Sequence, residues 1–201
     1  MYAGLFIALA AIVYVRCDNQ IVGSLLFSVG LLACLIHEAA LCTGRANQPW
    51  HALIRQDDKS ALYPWWQIFA VWFGLVVING ISAAGLGFLA SICIDTTRAT
   101  AIVEAKLSHP WYWMLFMGFL CGLLIQLAVH AYHKCSCHWP VVVMCVMSFL
   151  LLGGEHCIAD AAFIGMMQPT GDWHTYLGCI KLVTLAGLGN LLAGALFYNE
   201  V

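Results

Sequence analysis

Glu155 and His156 stand side by side in an otherwise apolar stretch, directly after Gly153 and Gly154. An imidazole next to a carboxylate can take up or release a proton near neutral pH, or donate a hydrogen bond to a passing ion. Ionisable groups at membrane depth are costly, so each marks a functional position by default. The alternative for this pair is a polar cluster that fixes helix packing, although packing alone does not need an imidazole. Thr43-Gly44 places a hydroxyl near the end of another apolar run, where it reads equally well as a helix C-cap. Asn190 lies within Gly187-Leu188-Gly189-Asn190-Leu191-Leu192-Ala193-Gly194, where close helix approach accounts for the glycines and leaves the amide unexplained. Lys106 precedes Pro110-Trp111 and is either a snorkelling surface lysine or a cation at the mouth of a path. Phe27, Leu31, Leu41 and Phe149 lie near the same interruptions. They are lipid-facing or core residues, or else collars that would stop hydrated ions by dewetting. His130, His133, Cys135, Cys137 and His138 gather in one region and could bind zinc. C-x-C-H is not a standard structural zinc spacing, so neither a metal nor another cofactor is expected.

Such residues need apolar elements to hold them, and the composition supplies little else. The chain has 201 residues, 63% hydrophobic and 9% charged, with a mean hydropathy of +0.88. A soluble domain carries about 25% charged residues, so the expectation is a multi-pass integral membrane protein of the plasma (inner) membrane, in contact with the lipid bilayer. At roughly 20 residues per span there is room for about six or seven short helices and no separate soluble domain. A formal net charge of -2 without a basic patch excludes nucleic acid as a partner. Met1 to Val15 lacks a basic n-region and a small-residue cleavage site, so it reads as a retained helix rather than a signal peptide. Of ten cysteines, Cys34, Cys93, Cys121, Cys145 and Cys157 lie inside apolar runs, where they behave as small hydrophobes and no disulfide framework is expected.

Charges and loop residues divide the chain into six apolar spans, roughly 2–15, 21–43, 62–94, 111–132, 139–167 and 175–198. Residues 60–94 contain no Asp, Glu, Lys or Arg, enough for one tilted span or a span running on into a half-helix. Trp50, Trp65, Trp66, Trp111, Trp113, Trp139 and Trp173 fall near the proposed ends, where indole rings favour the headgroup layer. Lys and Arg do not orient the chain. With both termini inside, Arg45, Arg55, Lys59 and Lys134 face Arg16, Arg98, Lys106 and Lys181 across the membrane.

The two halves echo each other weakly. Gly4-Leu5-Phe6-Ile7 resembles Gly118-Phe119-Leu120-Cys121, and His37-Glu38-Ala39-Ala40 resembles Glu155-His156 with the residues that follow. Three spans per copy would start the second copy on the opposite side, giving a single domain over 1–201 built as an inverted repeat of about 1–95 and 105–201. Spans two and five are each interrupted by polar residues at mid-depth, at Thr43-Gly44 and at Gly153-Gly154-Glu155-His156. Irregular backbone is tolerated there only where it is buried in protein or lines a water-filled path, so both interruptions point to a central pathway.

These residues resemble the formate/nitrite transporter family along nearly the whole chain. Residues 21–31 leading to Leu41-Cys42-Thr43-Gly44 are similar to its second helix and the loop that breaks it, and the stretch from Lys106 to Leu127-Ala128-Val129 to its fourth helix. Glu155-His156-Cys157-Ile158-Ala159-Asp160 resembles the family's E-H-x-x-A-N signature, the most specific of the matches. Gly189-Asn190-Leu191-Leu192-Ala193-Gly194 resembles its G-N-x-x-G-G motif, and Tyr2-Ala3-Gly4-Leu5-Phe6-Ile7 its first helix. The resemblance implies an all-α, aquaporin-like bundle of six transmembrane helices in an inverted 3+3 repeat with helices two and five interrupted. It also implies a homopentamer with one pore per protomer. The implied substrates are small monovalent anions such as formate, nitrite or hydrosulfide, with protons involved. His156, Thr43 and Asn190 correspond to the pore centre, Lys106 to the outer vestibule with Glu155 on the pathway, and Phe27, Phe149, Leu31 and Leu41 to the constrictions.

Several positions depart from the family pattern. Cys42 replaces a phenylalanine, which would widen the inner constriction, and Ala40 replaces an acidic residue while His37-Glu38 lies nearby. Gly122 holds the place of an asparagine and His130 that of a tryptophan. The G-N-x-x-G pattern of span three is not intact, because Leu75 follows Gly74 and Asn79-Gly80 comes later. The amphipathic helix expected before the first span and a C-terminal tail are not found, which marks a divergent, N-terminally short member. The alternative function is a haem-binding electron-transfer subunit using His37, His130, His156 or His174, but no two of these share a helix face at ligating spacing. No motif arranges a nucleophile, base and orienting group, so an enzyme is not expected.

Overall fold

The computed structural model describes residues 1–55 and 63–199; Lys59 and the expected start of span three at residue 62 lie outside them. The described residues are helical, with no strands among them. The first half contains α1 (Tyr2–Arg16), α2 (Gln20–Ile36), a 3₁₀ turn (Thr43–Arg45), α3 (Asn47–Ile54) and α4 (Trp65–Cys93). After α5 (Thr97–Leu107), the second half contains α6 (Trp111–Lys134), α7 (Trp139–Leu152), α8 (Cys157–Met166), α9 (Trp173–Gly194) and a closing 3₁₀ turn (Ala195–Phe197).

The helix boundaries follow from local chemistry. The Asn19 side chain accepts the Ile21 and Val22 N–H groups and caps α2, and Asp172 does the same for His174 and Thr175 at the start of α9. The His174 and Thr175 bonds hold the Asp172 carboxyl below the usual aspartate range. Pro64 and Pro110 sit immediately before α4 and α6, where their fixed φ sets the direction of entry. Three helices, Trp65–Cys93, Trp111–Lys134 and Trp173–Phe197, are long and apolar enough to cross a membrane. A fourth crossing is available if α7 and α8, bent by 59° at their break, count as one.

Small residues set how closely the helices pack. A Cβ added at Gly122 of α6 would lie 2.8 Å from the Asn190 Cα and 2.7 Å from the Ala193 Cβ of α9. Gly189 of α9 sits just as tightly against α6, where an added Cβ would meet the Phe119 nitrogen at 2.6 Å. Gly87 and Gly165 do the same between α4 and α8. The two halves use one pairing pattern: α1 packs on α2 and α4 as α6 packs on α7 and α9, and α2 meets α7 between them. The outer face of α4 is apolar and exposed, with Val71, Phe73, Ile81, Phe88 and Ile92 all turned outward.

The structure changes three expectations. The helix of span two stops at Ile36, well before Thr43, so Thr43 opens a 3₁₀ turn and is not a C-cap; the cap is His37. The stretches between the six proposed spans carry two helices that the division into spans does not include, α3 and α5. Trp50, expected at the headgroup layer, is half-buried and donates its indole N–H to the Leu191 carbonyl at 2.7 Å.

Candidate functional site

Two helix breaks lie at the middle of the fold and close in the same way. At the end of α7, Gly153 takes a left-handed conformation (φ 76°) and the Gly154 N–H returns to the Phe149 carbonyl at 2.7 Å. At the end of α2, Glu38 takes the left-handed position (φ 51°) and the Ala39 N–H returns to the Cys34 carbonyl at 2.8 Å. The first break therefore places a non-glycine residue where the second uses glycine.

Each half then ties its own break with an asparagine from its last long helix. Asn79 of α4 accepts the Cys42 N–H at 3.0 Å, and Asn190 of α9 accepts the Cys157 N–H at 3.2 Å. The Asn190 amide also donates to the Gly118 carbonyl at 2.7 Å and the Glu155 carbonyl at 2.9 Å. Asn79 Nδ2, by contrast, is buried without a hydrogen-bond partner among the described residues. Trp72 donates its indole N–H to the Cys42 carbonyl at 2.8 Å, and Gln126 of α6 donates its amide to the Thr43 carbonyl at 2.7 Å.

The two breaks meet through side chains. Thr43 Oγ1 lies 2.9 Å from His156 Nε2, and both residues are buried. His156 is also the N-cap of α8, because its Nδ1 accepts the Ala159 N–H at 3.2 Å. Nδ1 therefore presents a lone pair, the ring proton sits on Nε2, and the histidine donates to Thr43. The Phe149 ring stacks on the imidazole at 5.9 Å and meets Phe27 edge-on, also at 5.9 Å. One turn further along α2, Leu31 joins Leu41 in lining a cavity of about 630 Å³ with Arg45, Gln126, His130 and Lys134 in its wall. Cys42 is fully buried beside Leu41 and does not line that cavity.

On the far side, Lys106 is not a snorkelling surface residue. Near the end of α5, its ammonium pairs with Glu155 Oε2 and lies 2.9 Å from Asp160 Oδ1. The residues singled out in the sequence thus fall into three adjoining groups: Lys106 with Glu155, Thr43 with His156 and Asn190 behind them, and Phe27 with Phe149. Leu31 and Leu41 follow at the cavity. Trp72 and Gln126 were not singled out, and Asn79 and Asp160 were named only within motifs and given no role. Each is a polar or amphipathic residue within an apolar run, and Trp72 is the one tryptophan placed at no proposed span end.

Two of the histidines considered as haem ligands have other contacts. His37 stacks on Phe6 at 5.4 Å, and His156 is engaged with Thr43. Among the described residues no group of three His, Cys, Asp or Glu side chains is arranged to hold a metal ion. Cys135 and Cys137 are exposed, and His138 is half-buried with its ring bonded to the Cys135 carbonyl.

Comparison with known proteins gives consistent matches. The sequence model described as "Formate/nitrite transporter" matches residues 1–200. The nitrite transporter NirC of Escherichia coli (strain K12) and that of Shigella flexneri are each 26% identical over 108 residues. The matched stretch is 52% of this chain and 40% of each relative, so it spans well under two thirds of their length. Among solved structures, an FNT family ion channel superposes with a TM-score of 0.77 at 22% identity, covering 98% of this chain and 82% of that one. A pentameric formate channel with formate bound superposes at 0.76 and 21% identity, covering 98% and 91%. At these identities the superpositions establish a shared fold.

Proposed function

The chain belongs to the formate/nitrite transporter family, and from that premise we propose that it is a multi-pass plasma-membrane channel for small monovalent anions or their weak acids. Formate, nitrite and hydrosulfide are the candidate substrates, and passage is linked to protons through His156. The observation that carries this reading is the bond between Thr43 and His156, which joins two helix breaks at the centre of the fold. Broken helices held by buried side chains are the arrangement that permits irregular backbone along a polar path at membrane depth.

In this reading each group has a task. Lys106 stands at one mouth beside Glu155, and the basic residues around the cavity, Arg45 among them, draw the anion at the other. The Phe27–Phe149 contact and the Leu31–Leu41 region are apolar collars. A bare anion pays a heavy desolvation penalty there that its neutral acid does not. Between the collars, His156 Nε2–H and the Thr43 hydroxyl offer hydrogen bonds to the ion, with the N-terminus of α8 adding its partial positive charge. Asn190 positions the break and does not face the ion, because its amide is occupied by backbone groups. A proton entering at His156 Nδ1 displaces the Ala159 N–H, so proton uptake and loosening of the first turn of α8 go together. Six spans in an inverted repeat, with α7–α8 as the broken fifth and α2 through α3 as the broken second, complete the proposal. Five protomers would cover the exposed face of α4 with neighbours and lipid.

The test is uptake of formate, nitrite and hydrosulfide into proteoliposomes between pH 5 and 8, comparing the unaltered protein with His156→Asn. Selective, saturable flux that rises towards low pH and needs His156 supports the reading. Absence of flux, or flux indifferent to His156, overturns it.

A further inference from the structure

The mouth occupied by Lys106 contains one more negative charge than it can balance. Glu155 Oε2 and Asp160 Oδ1 both approach the same ammonium, and the two carboxyl side chains are essentially without solvent exposure. Held on one nitrogen, the two carboxyl groups are close neighbours. Beyond the contacts with Lys106, Glu155 Oε1 and Asp160 Oδ2 are buried with no hydrogen-bond partner among the described residues. Two ionised carboxylates in contact offer four acceptors and no donor, so their contact becomes favourable only with a proton between them.

Among the described residues no second cation pairs with the two carboxyls. Arg98, the other cation of α5, lies over the Tyr14 ring and donates to the Cys17 carbonyl. Cys121 of α6 and Cys157 of α8 are the thiols nearest the trio, and His156 directs its ring to Thr43 and Ala159. At their contact with α8, α4 brings the small residues Ala84 and Gly87, and α1 brings Tyr14 to Phe163. From α9, Asn190 donates to the Glu155 backbone carbonyl and not to its carboxyl.

We infer that Glu155 and Asp160 form a proton-binding site in which the two carboxyls share one exchangeable proton beside Lys106. With that proton the trio is neutral; without it the trio carries one net negative charge. The position is Asp160 in this chain, whereas the family signature ends in asparagine, a residue that would leave one carboxylate for one ammonium and no need for a proton. Loss of the shared proton at high pH sets a negative charge at the mouth and turns anions away. This second step rests on the channel reading, whereas the proton site itself does not.

Infrared difference spectroscopy of the protein in lipid tests the site directly. The expected result is a protonated-carboxyl C=O band at neutral pH that disappears on alkaline titration and is absent from both Asp160→Asn and Glu155→Gln. A missing band in the unaltered protein, or a band that survives either substitution, overturns the site. The consequence is read from formate flux against pH in proteoliposomes. Asp160→Asn should retain flux at alkaline pH, several-fold above the unaltered protein, while the two converge at acid pH. Superimposable profiles overturn the gating step. A band that behaves as expected in a protein that passes neither formate nor nitrite leaves the proton site standing and removes the channel reading.

Discussion

Asn79 and Asn190 occupy matching places in the two halves and are held very differently, which gives a sharp prediction about stability. Asn190 makes three hydrogen bonds within the protein, to the Cys157 N–H and to the Gly118 and Glu155 carbonyls. Asn79 makes one, from the Cys42 N–H, and its Nδ2 has no partner among the described residues. Replacing either with alanine leaves a similar cavity, so the difference between the two variants isolates the hydrogen bonds. At about 1 kcal/mol per bond, Asn190→Ala should cost roughly 2–4 kcal/mol before the cavity and Asn79→Ala about 1 kcal/mol. Bonds within a bilayer average somewhat less, about 0.6 kcal/mol, which lowers both figures and preserves their order. Unfolding of the two variants in mixed micelles, followed by helical signal against denaturant, measures the gap directly. Equal losses, or a larger loss for Asn79→Ala, would refute the claim that the second break is the more firmly tied.

Three further outcomes follow from local geometry. Glu38→Gly should stabilise the protein by about 0.5–1 kcal/mol, since it relieves a left-handed non-glycine residue while adding chain entropy to the unfolded state; micellar unfolding measures it. Gly189→Ala should cost about 1–3 kcal/mol because its Cβ enters the α6 backbone, whereas Gly187→Ala, whose Cβ meets the Cys157 Cβ at an ordinary 3.7 Å, should be tolerated. Thermal melting of the pair gives the comparison. Asp172→Ala should lower the unfolding midpoint at neutral pH by removing the α9 cap. Because the His174 and Thr175 bonds depress the folded-state pKa, that contribution is complete above the unfolded value near 3.8 and is lost as pH falls through the folded one. Melts of the two proteins should therefore converge in acid.

Much of the framework could be read from the chain because it depends on local signals. The charge-free run over 60–94 corresponds to α4, Pro110-Trp111 marks the start of α6, and Gly153-Gly154 marks the second break. The first break was harder to place, because it begins at His37 and no glycine announces it. Glu38 takes the left-handed position there, a conformation that residue type alone does not suggest. The polar residues that hold the breaks were hidden for a different reason. Asn79 reaches Cys42 and Gln126 reaches Thr43 across long separations in sequence, so their roles arise only from packing. The partners of Lys106 were half legible: Glu155 was singled out as a pathway residue, whereas Asp160 stood only as the last residue of the signature and gained its role through the shared ammonium.

Phe149 belongs to three arrangements at once. Its carbonyl closes the end of α7, one side of its ring meets Phe27, and its face lies on the imidazole of His156. The aromatic contact and the central histidine therefore share a hinge. Any swing of the ring that widens the gap to Phe27 also withdraws the surface on which His156 rests, and any tilt of the imidazole is felt at the aromatic contact. The spacing of the two phenyl rings and the seating of the His156 imidazole are a single mechanical variable, and substitutions at Phe149 should move the two together.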